Sequence, residues 1–216
     1  MNLKLPPFRF VLMAAFVVPV QSLDGWKTEK FSSRPANMVT ASSSGIVIKV
    51  EKSASPLIFP LKSKTKVNGF KIAGNFSALP VFKDVARQGE KGADDFPLRI
   101  GFIVPGEKRL TGVRKLFASE WVKHLFSQVP PEMGLDHIQF FNVTQNSAQV
   151  GKSRTHPASD LLTEEFFALV EKPGPFSYTH KLSIPLEAVG IWLSIDGDDT
   201  KSDFTVSISN LELMTE

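Results

Sequence analysis

The chain has 216 residues, a formal net charge of +3, 18 Phe against 3 Trp and 1 Tyr, and no cysteine. Disulfides, thiol catalysis, Cys-ligated zinc and a lipid anchor on an N-terminal Cys are thereby excluded. A Phe-rich composition poor in Trp and Tyr suits core packing better than an aromatic platform for sugars.

Residues 1–22 read as an export signal. Lys4 and Arg9 give a positive head, residues 10–18 are an unbroken apolar run, and Pro19 ends it. Val20 and Ser22 then sit at the −3 and −1 positions of a cleavage point. The run is far shorter than the ~20 residues of a membrane-spanning helix, so no span is expected after cleavage. The expected product is one soluble periplasmic or secreted domain over residues 23–216, long enough for a full core without staples. Two cationic residues leave with the signal and no acidic ones do, so the mature domain is nearly neutral. Near-neutrality argues against nucleic acid as a partner.

Past Trp26, short β-type runs alternate with turn signals. Residues 45–50 are β-branched and strand-like. Residues 57–61, bracketed by Pro56 and Pro60, read as an edge segment, and residues 67–76 as a strand bent at Gly69 and Gly74. A charged loop over 84–95 leads into a long strand over 96–104. Its Phe96, Leu98, Ile100 and Phe102 share one face, with Arg99 and Gly101 on the other. Val113, Leu116, Phe117, Trp121 and Leu125 keep helical spacing within 110–129, and Pro130-Pro131 closes it, although a strand over 120–126 also fits. Residues 137–144 resume β character, while 161–170 fit helix or strand. Residues 178–184, 189–195 and 204–214 are strand-like. The pattern predicts a mainly β antiparallel sandwich, jelly-roll-like or galactose-binding-like, with one or two short helices.

Two acidic clusters flank predicted strands. Asp94-Asp95 precedes the strand starting at Phe96, and Asp196-Gly197-Asp198-Asp199-Thr200 follows the strand ending at Ile195. If those strands are antiparallel neighbours, both clusters share one rim of the sandwich. Asp94, Asp95, Arg99, Asp196, Asp198 and Asp199 are therefore the candidate ligand-binding residues. Asp196, Asp198 and Thr200 have the 1, 3, 5 spacing of a calcium loop, which makes calcium the cofactor to consider. Lys201 and Ser207 replace the Gly and Glu such a loop needs at positions 6 and 12, so it is no EF-hand, and a solvated turn explains the residues equally. Arg99 can pair with a carboxylate or fork onto an anion. His124, His137, His156 and His180 lack metal spacing and read as surface residues. Glu164 and Glu165 resemble a glycosidase pair in composition only, since neighbours on a strand point to opposite faces. Lys108, Arg109, Arg114, Lys115 and Lys123 read as the solvated face of a helix. No catalytic motif is present, and no residue is assigned a catalytic role.

Trp26 with Phe31, then Ser43-Ser44-Gly45, then the K-G-x-D-D-x-x-x-R run from Lys91 to Arg99 resemble a bacterial exported domain-of-unknown-function family. The stretch from Ile195 to Thr200 resembles that family's second acidic motif. Gly69-Phe70-Lys71-Ile72 departs from the family's W-x-W strand. The resemblance implies a periplasmic jelly-roll-like sandwich and no established activity. Three functions fit: a non-catalytic binding module for a glycan or envelope ligand, a structural or protein-interaction component of the envelope, and an envelope hydrolase using Asp95, Asp196 or Asp198.

Overall fold

The computed structural model describes residues 14–111, 118, 120–130 and 132–215. Val113, Leu116 and Phe117 of the expected helix, and Arg114 and Lys115 of its basic face, lie outside the described residues.

Eleven strands form one continuous hydrogen-bonded system: β1 (Ala14–Val17), β2 (Lys27–Thr28), β3 (Met38–Ser42), β4 (Gly45–Glu51), β5 (Leu57–Phe76), β6 (Leu98–Gly106), β7 (Gly134–Thr144), β8 (Ser153–Thr155), β9 (Leu162–Leu169), β10 (Gly174–Ser194) and β11 (Asp203–Thr215). Their order is β3-β4-β11-β5-β10-β6-β7-β9-β8, with β1 added to β11 and β2 to β5. A single α-helix among the described residues, α1 (Glu120–Ser127), packs outside.

Two strands are much longer than the sequence pattern suggests. The runs over 57–61 and 67–76 are one strand, β5, and those over 178–184 and 189–195 are one strand, β10. The late part of β5 pairs with β11 and the early part of β10, while the late part of β10 pairs with β6. Register shifts on β10 between Lys181 and Leu186 and between Ala188 and Gly190 mark the bend. Pro60 is tolerated because β2 pairs only at Leu57 and Ile58 and β11 joins only at Val67, leaving a local edge between them. Gly69 and Gly74 are sites of close approach: a Cβ on Gly74 would lie 1.9 Å from the Ser207 carbonyl oxygen. Register shifts against β11 fall beside both glycines.

Residues 161–170, which fit either state by pattern, are strand β9. It runs parallel to β7, so the expected antiparallel rule breaks at this one pair. The connection between them carries the short strand β8, which pairs antiparallel with β9.

The main core lies between the layers. Ile46, Ile48 and Val50 of β4 and Val206, Ile208, Leu211 and Leu213 of β11 meet Leu98, Ile100 and Phe102 of β6 and Phe141 and Val143 of β7. Phe70 of β5 sits among these, its ring centroid 6.0 Å from Phe102 and 5.4 Å from Phe141. Phe70 is thus a fully buried core residue. A smaller cluster covers the other face of β6, β7 and β10, where Ile103, Ile138, Phe140 and Trp192 pack against Leu125 and Val129 at and beyond α1.

The folded unit extends N-terminally of the expected boundary at residue 23. Ala14–Val17 pairs in register with Glu212 to Thr215, and Val18 and Val20 are 0% and 1% exposed within the main core. Burying a Val side chain fully contributes about 1.5–3 kcal/mol. No helix among the described residues is long and apolar enough to cross a membrane.

Candidate functional site: a groove on the outer face of β6 and β10

The antiparallel pairing of β6 with β10 sets Arg99 opposite Ser194. It therefore brings the turn before Leu98 beside the turn after Ser194, and the two acidic clusters meet. Asp94 N–H donates to Asp199 Oδ2 at 3.0 Å. In return, Asp95 Oδ1 accepts from the Asp199 amide at 3.3 Å, and Asp95 Oδ2 accepts from both the amide and the hydroxyl of Thr200 at 2.6 Å. Gly197 allows the tight return, since a Cβ there would lie 2.7 Å from Val50 Cγ1 and 2.8 Å from the Ser202 carbonyl oxygen.

Arg99 is the centre of this rim. Pointing away from the main core, it is nonetheless only 7% exposed. Its guanidinium lies 3.0 Å from Asp94 Oδ1, 3.4 Å from Asp196 Oδ2 and 3.9 Å from Glu164 Oε1, and stacks over the Phe96 ring at 4.4 Å. Burial disfavours its charge, but Asp94, Asp196 and Glu164 outweigh that and raise its pKa.

The carboxylates around it respond oppositely. Burial works against the Asp94 charge, yet Arg99 and the His156 hydrogen bond at 2.9 Å hold its pKa down at about 2. Burial dominates at Asp196 and pushes its pKa up to about 7, against the attraction of Arg99 and a hydrogen bond from the Ser194 hydroxyl at 2.8 Å. Asp198 is raised by burial too, despite Arg34 at 2.9 Å.

The groove beside this rim has a volume of about 450 Å³. Asp94, Arg99, Asp196, Asp198 and Asp199 line it, whereas Asp95 and Thr200 do not. One wall is apolar, made by Leu125, Phe140, Leu162 and Trp192. The Trp192 ring meets Phe140 edge-on at 5.9 Å, and its buried Nε1 has no hydrogen-bond partner among the described residues. The segment before β3 also lines the groove, through Phe31, Ser33 and Arg34. Phe31 packs edge-on against His124 at 6.3 Å, and Arg34 lies over the Phe31 ring at 5.6 Å.

The expected calcium loop has a different geometry. Thr200 Oγ1 is engaged by Asp95 and Ser202, Asp196 by Ser194 and Arg99, and Asp198 by Arg34. Its three donors are turned to separate protein partners. Lys201, where such a loop keeps glycine, takes the left-handed φ of 59° itself. A different trio, Asp94, His156 and Glu164, brings ligand-type atoms within 4.8 Å of one another. There Arg99 and Arg154 already supply positive charge: Arg154 Nε donates to Glu164 Oε2 at 2.7 Å.

Several participants escaped the sequence reading. His156, expected at the surface, closes onto Asp94. Glu164 is fully buried between Arg154 and the Asn142 amide, which donates to it at 2.7 Å. Glu164 lies opposite Phe140 on the face of β9 turned away from the main core, and no local pattern marks its burial. Nothing local marks His156, Arg34 or Phe31, which arrive from distant loops. The chain carries two N-x-S/T sequons, Asn75-Phe76-Ser77 and Asn142-Val143-Thr144, and Asn142 is fully buried in the folded chain.

No protein-family profile and no curated protein matches the chain. Solved structures similar to it in outline include a xylan-binding module, CBM15, at 12% identity and a TM-score of 0.40, covering 94% of this chain and 97% of that one. A mutant of xylanase 10C from Cellvibrio japonicus, in complex with xylopentaose, aligns at 12% identity and a TM-score of 0.36, over 93% of this chain and 29% of that one. The K3 adhesin domain of Lys-gingipain from Porphyromonas gingivalis aligns at 11% identity and a TM-score of 0.35, over 94% and 100%. The chain itself is a β-sandwich whose outer face carries an amphipathic groove.

Proposed function

We propose that this protein is an exported, non-catalytic binding module for a neutral, hydroxyl-rich glycan of the envelope or its surroundings. The observation that supports this is the two-sided chemistry of the groove. An apolar part of the lining containing Trp192 and Phe140 adjoins a set of acceptors and donors from Asp94, Arg99, Asp196, Asp198 and Arg34. A sugar ring has matching sides, C–H faces that pack on apolar surface and hydroxyls that exchange hydrogen bonds with charged groups. The volume is within the range of about 300–1,000 Å³ typical of small-ligand sites. Four carboxyl groups line the groove against two guanidinium groups. That balance favours neutral sugars over uronates, whose carboxylates would be repelled.

The test is calorimetric titration with a panel of soluble neutral oligosaccharides and a polyuronate. Binding of a neutral oligosaccharide, weakened about tenfold by Phe31→Ala or Arg34→Ala, is expected, which is about 1.4 kcal/mol. Absence of binding across the panel, or affinity indifferent to both substitutions, overturns the reading.

One observation favours a hydrolase as the second reading: Asp94 and Asp196 both line the groove beside Arg99, and their pKa values are pushed in opposite directions, down to about 2 and up to about 7. Reducing-end release from a bound oligosaccharide, abolished by Asp196→Asn with binding retained, would establish it over the binding module.

A further inference from the structure

We propose that residues 14–22 remain in the mature protein, so that the apparent cleavage site at Ser22 is not used. Sequence pattern alone cannot separate an apolar leader from an apolar strand here, but the fold does. Ala14 to Val17 adds an antiparallel strand to the free side of β11, and the ladder continues with the Val18 amide donating to the Leu211 carbonyl at 2.9 Å. Beyond the ladder the segment alternates as a strand does and a leader need not. Val18 and Val20 point into the main core, and Pro19 between them is only partly buried. The Pro19 carbonyl accepts the indole N–H of Trp26 at 2.6 Å.

A cut after Ser22 would remove all of this at once. The outer side of β11 from Leu211 to Thr215 would become an open edge, two fully buried valines would leave holes, and the Trp26 indole would lose its acceptor. Trp26 also packs on Phe59 at 5.1 Å and anchors the start of the segment that carries Phe31 and Arg34 to the groove lip. The retained strand thus holds the groove's lip in place. The inference itself does not depend on what the groove binds.

Two measurements test it. The full-length chain, expressed in a Gram-negative host, is purified from soluble and membrane fractions and its intact mass determined. A mass that includes residues 14–22 is expected. A folded product whose mass corresponds to residues 23–216 overturns the proposal. Separately, Val18→Ala and Val20→Ala are introduced into the full chain produced in the cytoplasm. Each is expected to lower Tm by several degrees, as truncation of a core residue does. Melting unchanged in both variants overturns the proposal, since a leader outside the fold is indifferent to them.

Discussion

Asp95 Oδ2 accepts the Thr200 amide and the Thr200 hydroxyl, each at 2.6 Å, so one buried oxygen joins two acidic motifs about a hundred residues apart in the chain. Neither residue lines the groove. Their contact holds the loop that presents Asp196, Asp198 and Asp199 to it.

Asp95→Ala should therefore act on stability first. It leaves the Asp199 and Thr200 amides without their acceptor and the Thr200 hydroxyl with Ser202 alone, at about 1–3 kcal/mol for each group that stays buried and unpaired. A loss of about 3 kcal/mol is expected in urea denaturation, with Tm down by about 6–12 °C. A change below about 0.5 kcal/mol would show that the contact does not hold the loop.

Glu164 gives a sharper pair of substitutions. Its carboxylate is fully buried against Arg154 and Asn142, so Glu164→Gln breaks the ion pair and takes from Arg154 its nearest carboxylate. A cost of about 3–5 kcal/mol is expected. Glu165, on the opposite face of β9 and 3.1 Å from His180, is partly exposed, and Glu165→Gln should cost less than about 1 kcal/mol. Equal effects in chemical denaturation would contradict this assignment of faces.

Stability should vary with pH in a characteristic way. In the folded chain Asp196 keeps its proton to about pH 7, whereas the ordinary value is 3.8. Between those values the unfolded chain binds fewer protons than the folded one, so stability falls as pH rises, by about 4 kcal/mol in all. Asp94, with its folded value near 2, contributes in the opposite sense: its stabilisation is present above about pH 4 and is lost as pH falls toward 2, by about 2 kcal/mol. The denaturation midpoint should peak near pH 4–5, and Asp196→Asn should flatten the decline above it. A variant whose pH profile parallels that of the parent would remove Asp196 from the account.

Calcium should not stabilise the protein, because Arg99 and Arg34 already occupy the charge role a cation would fill at Asp196 and Asp198. A site filled at a hundred times its dissociation constant adds about 2.7 kcal/mol, a shift of about 5–11 °C in a domain of this size. Thermal melts with millimolar calcium and with a chelator should coincide. A separation of several degrees would restore the calcium loop.

Much of the fold was legible because alternation is a local signal. Leu98, Ile100 and Phe102 face one way and Arg99 and Gly101 the other, as period two requires. The meeting of Asp94 and Asp95 with Asp196 to Thr200 followed from one further supposition, that their strands are antiparallel neighbours. Where the sequence misled, the cause was non-local. Residues 57–61 read as a separate edge segment, and Pro60 does sit where no strand among the described residues covers its second side, but the chain runs on through it into one long strand, β5. The acidic 1, 3, 5 spacing says nothing of Arg34 and Arg99, whose guanidinium groups decide where those side chains turn. The apolar run over residues 10–18 carries no mark to distinguish a leader from β1, because its partner is at the other end of the chain.

That partnership has a kinetic consequence. Ala14 pairs with Thr215, so the contact joins residues separated by almost the whole chain length. During synthesis the N-terminal strand emerges first and must wait for the last strand before it has anything to pair with. Together with β5 and β10, which pair across about a hundred residues or more, this gives a high contact order and slow closure. The newly made polypeptide consequently spends its ribosome-bound lifetime without a completed sandwich, with its apolar N-terminal run available to whatever factor engages it first.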